Sequence, residues 1–173
     1  MKKFTIPSLL LAVTLQAQVL ISPIESMQEN FGPDATISKK NILLTNDKFA
    51  KIQKNAQLKM DTKIYRIFNA TKGDKTLGYG ILVNRKVRSN NAVILYIIEN
   101  DILKSMDIIA FNEPLEYVPS QTWKEQFNNT PTSSYLQLNR EIPTITGATL
   151  SARSITDGSR IAFSIYNTLL KGK

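Results

Sequence analysis

Near the C-terminal end, Thr146-Gly147-Ala148-Thr149-Leu150-Ser151 sets three hydroxyl groups around two residues too small to shield the backbone. The run from Ala152 to Leu170 that follows places Ala152, Ile155, Ala162, Ile165 and Leu169 at near-helical spacing, so the hexapeptide stands before a helix. A helix start carries N–H groups with no internal partner and the positive end of the helix dipole, and both favour a phosphate. Gly147 and Ala148 let a bulky anion approach the main chain. Thr149 then presents its hydroxyl where a phosphate would lie, with Thr146 and Ser151 as further donors and Arg153 near in sequence to balance charge. The same residues also suit a Gly turn and a Ser/Thr-capped helix with no ligand. Taken alone, Thr146 to Thr149 leaves both open.

The longer segment Ile145 to Asp157 resembles the closing segment of the FMN-binding domain family, typified by periplasmic subunits of the Rnf complex and the sodium-translocating NADH:quinone reductase. In that family the Thr closing a Ser/Thr-Gly-Ala-Thr motif carries FMN through a phosphoester, made by a separate Mg-dependent flavin transferase with FAD as donor. The resemblance puts that role on Thr149, with Thr146, Gly147, Ala148, Leu150 and Ser151 around the cofactor. Gly78-Tyr79-Gly80 resembles the family's Gly-Tyr strand near the flavin and adds Gly78 and Tyr79. Glu113-Pro114 matches in part a Glu-Thr-Pro segment at the cofactor site and adds Glu113. One departure is plain: the family usually has Asp three positions before the Ser/Thr, and here that position is Pro143.

Composition narrows the chemistry independently. The chain has 173 residues, no Cys and no His, which excludes Ser-His-Asp and Cys-His catalysis, thiolate or imidazole zinc sites and haem attachment through Cys-x-x-Cys-His. Redox chemistry would have to come from a bound organic cofactor, and a flavin fits that constraint. Glu113, Glu116 and Asp157 show no paired spacing that marks a general acid and base, so no catalytic residue and no metal ligand is assigned.

Lys2 and Lys3 precede the apolar run Phe4 to Leu15, and Leu15-Gln16-Ala17 offers a small residue for cleavage. This pattern reads as a secretory signal peptide over 1–17, followed by one FMN-binding domain over 18–173, periplasmic or otherwise exported. No stable membrane insertion is expected after cleavage. The 22 basic and 14 acidic residues give a net charge of +8, and loss of the two leader lysines leaves a surplus of six. No zinc-finger, basic-zipper or RNA-recognition pattern accompanies it, so a solvated basic surface is expected and nucleic acid is not.

The elements that must position these residues follow from periodicity and turn chemistry. Ser22-Pro23-Ile24-Glu25 reads as a capping box opening a short helix that Gly32-Pro33 ends, and Thr45 caps a second in which Phe49, Ile52 and Ala56 recur. Between them, Ala35 to Leu44 looks extended. Ile64 to Phe68, Thr76 to Val87, Ala92 to Ile98 and Ser105 to Ala110 are β-branched and aromatic runs separated by Lys72-Gly73-Asp74 and Ser89-Asn90-Asn91 turns. Within the second run, strand glycines mark either a bulge or the close approach of a ligand. Ser120 to Asn128 reads as a short helix with Trp123 and Phe127 on one face, as core or as cofactor neighbours. The fold class is α+β: an antiparallel sheet of about four strands, flanked by N-terminal helices and a C-terminal helix. The expected function is that of an electron-carrying flavoprotein with redox donor and acceptor proteins as partners. The alternative is a flavin-free binding or interaction module of the same fold.

Overall fold

The computed structural model describes residues 18–172, so the expected signal peptide lies outside the described residues. In chain order the elements are β1 (Gln18–Val19), α1 (Pro23–Phe31), β2 (Thr36–Leu43), α2 (Asn46–Ala56), β3 (Ile64–Lys72), β4 (Lys75–Lys86), β5 (Asn91–Glu99) and β6 (Ile102–Phe111). A 3-10 turn at Leu115–Tyr117, α3 (Gln121–Glu125), β7 (Thr130–Pro131) and α4 (Thr149–Leu169) complete the fold. The helix starts form as their cap residues dictate: the Ser22 side chain accepts the Glu25 N–H at 3.3 Å, and Thr45 accepts the Lys48 N–H at 3.4 Å.

The α+β class holds, but the sheet is wider than four strands. Six antiparallel strands run in the order β1-β6-β5-β4-β3-β2, and β7 also pairs with β6. The extra full-length strand is β2, which the sequence shows only as an extended segment. It is an edge strand, mostly exposed, and so lacks the alternation that a half-buried strand displays. The two-residue β1 and β7 are too short to show any period.

Alternation along β5 separates two cores. Ile94, Tyr96 and Ile98 face α2 and α4 in the larger one, while Leu95 and Ile97 face α1 in the smaller one with Met27 and Phe68. Gly78 and Gly80 belong to the α1 face. A Cβ on Gly78 would lie 2.5 Å from the Phe31 ring, and one on Gly80 would lie 2.6 Å from the Met27 sulfur. These strand glycines answer to the packing of a helix.

α4, with 21 residues, is about 31 Å long at ~1.5 Å per residue and crosses the larger core. Its expected stripe is buried: Ala152, Ile155, Ala162, Ile165 and Leu169 all pack inward. Gly158 faces the tip of the Tyr96 side chain from β5, and a Cβ there would overlap the Tyr96 hydroxyl. That fully buried hydroxyl donates to the Ile155 carbonyl at 2.7 Å, and burial holds its pKa above the ordinary tyrosine value. Among the described residues, no helix is long and apolar enough to cross a membrane.

On an exposed helix, Gly→Ala stabilises by up to ~1 kcal/mol. Here Gly158→Ala is expected to destabilise by about 1–3 kcal/mol through overpacking, measured as the urea midpoint. In a Tyr96→Phe background, which removes the overlapped atom, the penalty is expected to shrink. A Gly158→Ala protein as stable as wild type would show that α4 is free to back away from the sheet.

Candidate functional site

α4 begins at Thr149, three residues earlier than its apolar stripe suggests, which makes Thr149 the first helical residue. Ala148 occupies the cap position with φ −127° and ψ 33°, and no side chain caps the helix. The Ser/Thr-capped alternative is thereby corrected: the hydroxyls surround the helix start without stoppering it. The preceding turn closes through the Ala148 N–H donating to the Ile145 carbonyl at 3.1 Å. Gly147 makes this possible with φ +79°, a left-handed conformation that glycine adopts without strain. The Thr149 hydroxyl is exposed and makes only long contacts, donating to Ile145 O at 3.3 Å and accepting from the Thr144 hydroxyl at 3.4 Å.

This helix start opens into a cleft of about 280 Å³. Gly147 to Ser151 form one wall; Val87 and Arg88, at the β4–β5 turn, face them together with Glu113 and Tyr117. The cleft thus gathers six sequence-predicted residues, Gly147, Ala148, Thr149, Leu150, Ser151 and Glu113. Thr146 is exposed just outside that lining, and Arg153 points to solvent beyond it. Val87, Arg88 and Tyr117 were not singled out from sequence as site residues. Their only signal is the Ser89-Asn90-Asn91 turn, which does not say what the turn faces.

Glu113 has a structural task in this wall. One carboxylate oxygen accepts the backbone N–H groups of Arg88, Ser89 and Asn90 at 3.2, 2.6 and 2.7 Å. The Asn90 amide is the largest cause of its lowered pKa; burial opposes the shift, while the other two amides and the Arg88 charge reinforce it. The group is therefore an ionised clamp that ties the β4–β5 turn to the end of β6. It is buried, and the oxygen that accepts these bonds is committed to the turn.

Trp123 is buried core, edge-on to Phe127 at 5.1 Å between ring centroids, and does not line the cleft. Its indole N–H donates to the Pro143 carbonyl at 2.8 Å. It is a positioning residue, anchoring the strap that leads from Pro143 to Thr149. Gly78 and Tyr79 are not brought to the cleft. The Tyr79 ring packs edge-on against Tyr166 at 6.1 Å, seventeen residues along α4 from Thr149 and so about 25 Å away along the axis. With Gly78 occupied by Phe31, neither residue shares a site with Thr149. The chain matches no family model, and no curated protein matches its sequence.

The Glu113 clamp generates a pH signature. Folding lowers this carboxylate's pKa, so its stabilisation is complete above the unfolded value of about 4.3 and is lost as pH falls through the lower folded value. Glu113→Gln is expected to be less stable than wild type at neutral pH. It should also lose less of its remaining stability than wild type does between about pH 5 and about pH 3. Urea midpoints across that range test this, and parallel curves for the two proteins would rule the clamp out.

Proposed function

We propose that this protein is an exported electron carrier that holds FMN by its phosphate at the start of α4, through a phosphoester to Thr149. The observation that carries the reading is the uncapped start of a 21-residue helix opening into a cleft, with an exposed threonine hydroxyl at its first position. The Thr149, Leu150 and Ser151 amides lie in the first helical turn, where N–H groups have no intrahelical acceptor and suit phosphate oxygens. Arg88 supplies the positive charge on the opposite wall, and the Glu113 charge beside it is offset by three amides. Val87 and Tyr117 supply apolar surface for a ring system. When bound, a flavin supplies electron transfer that a chain without Cys cannot perform with thiols.

The cleft volume shapes the rest of the proposal. About 280 Å³ falls just below the ~300–1,000 Å³ range of small-molecule sites, so a cofactor held by its phosphate would leave part of its ring outside. Donor and acceptor proteins could then approach that part directly, and a covalent link would keep the cofactor from being lost after export. The same small volume, with Pro143 where the resembling family has Asp, favours a second reading: a flavin-free interaction module of the same fold.

Co-expression of the full chain with a flavin transferase in an exporting host separates the two. The expected result is absorbance that survives denaturation, an FMN-sized mass increase on the peptide containing Thr149, and loss of both in Thr149→Ala. Wild-type protein that is colourless and unmodified would sink the flavin reading and leave the interaction module. Flavin released on denaturation would retain FMN binding but refute the phosphoester.

A further inference from the structure

Residues 36–66 hold eight Lys and Arg and two Asp, whereas the remainder of 18–173 holds twelve of each sign. The entire charge surplus of the chain after its leader therefore falls on one stretch, and the fold wraps that stretch around one edge of the sheet, with Lys39 and Arg66 on the α1 face and Lys40 on the face that α2 covers. β2 is the outer strand of the sheet and carries Lys39 and Lys40. α2, which packs against α4, carries Lys48, Lys51 and Lys54 at three-residue spacing, all exposed. Lys59 and Lys63 follow in the connection to β3, and Arg66 lies on β3 itself. All eight cations are exposed.

Among the described residues, none of them is in an ion pair. The seven pairs there all use other cations, and Asp61, one of the two acids in the stretch, faces Arg85 at 3.9 Å. Arg66 and Lys63 donate to neutral amide oxygens, Asn41 at 3.0 Å and Asn46 at 2.7 Å, and Lys63 also lies over the Phe49 ring. One or two lysines suffice to protect an edge strand from aggregation. Eight unpaired cations on one edge repel each other, an arrangement that a complementary anionic surface relieves.

The edge also carries an exposed apolar pair on its α1 face and an open strand. Leu43 and Ile64 are cross-strand partners and are 71% and 60% exposed. Among the described residues, no strand neighbours the outer side of β2, so its outward backbone groups are open to pairing by another chain. A lipid headgroup layer can meet the charge but cannot pair with a strand edge. Register fixes the location: Arg66 lies opposite Leu82, which puts Ile64 at the end of the sheet where the β4–β5 turn walls the cleft.

We infer that the β2–α2 edge is the docking surface for an acidic protein, whose Asp- and Glu-rich segment pairs along β2 and, with side chains alternating between the two faces, meets Lys40 and the α2 lysines on one face and Lys39, Leu43 and Ile64 on the other. Its role as a redox partner rests on the flavin reading; the binding does not. The test measures binding of the full chain to immobilised poly-L-glutamate, and separately to phosphatidylglycerol vesicles, at low and raised salt. Lys48→Glu/Lys51→Glu/Lys54→Glu is compared with Lys75→Glu/Arg140→Glu/Lys171→Glu, which alters net charge equally away from the patch. Lys39→Glu/Lys40→Glu serves as a second patch variant should the α2 triple variant fail to fold.

The patch variants are expected to weaken poly-L-glutamate binding by about tenfold or more, the off-patch variant by no more than about twofold, with salt weakening wild type. Equal losses in on-patch and off-patch variants would overturn the inference in favour of net charge alone. Patch-dependent capture by vesicles that exceeds capture by poly-L-glutamate would overturn it in favour of a lipid surface. Protein made with and without the flavin transferase is expected to bind alike, so the flavin reading can fail without moving this result.

Discussion

The contact between α4 and the sheet at Gly158 is the constraint on which the remaining geometry depends. Only because Gly158 lacks a side chain is there room for the Tyr96 hydroxyl, which fills the space and bonds the Ile155 carbonyl. An apolar stripe alone would allow α4 to slide or rotate with little change in buried area. A fully buried polar group that must find its acceptor does not, because leaving it unpaired costs about 1–3 kcal/mol. The larger core is thus keyed as well as apolar.

Once α4 is keyed, its first turn has a fixed destination. Thr149 emerges about 14 Å along the axis from Gly158, at the end of the sheet where β4 turns into β5. The two supports of that end act from opposite sides. Glu113 gathers the three amides of the β4–β5 turn, and Trp123 holds the strap before Thr149 through the Pro143 carbonyl. Neither reaches the start of α4 itself, so its N–H groups and dipole remain directed into the cleft.

Further along α4, several buried polar side chains are handled locally. Thr156 and Ser159 return their hydroxyls to carbonyls of the same helix, while Arg160 pairs with Asp157, which Arg85 approaches from β4. Ser154 Oγ, Arg160 Nε and Thr168 Oγ1 stay buried without a partner. Labour is divided along this one element: a middle that packs, and a start that is left chemically open. The unpaired lysines of the β2–α2 edge form a second open feature at the same end of the sheet.

Much of the scaffold was legible from the chain. Cap residues Ser22 and Thr45, the β-branched runs of β3 to β6 and the stripe of α4 are local signals, since each element must satisfy its own backbone and present one apolar face. The Thr146 to Ser151 segment was legible as an anion-friendly helix start for the same reason. What depended on distant neighbours was not. Gly78 and Gly80 look alike in sequence whether a ligand or the Phe31 and Met27 side chains approach them, and β2 is hidden because an exposed edge need not alternate. That Arg88, Tyr117 and Glu113 face Thr149, while Tyr79 lies at the far end of α4, is set by strand order and helix length. Local chemistry determines what each segment can be; only the three-dimensional packing of segments far apart in the chain decides which of them meet.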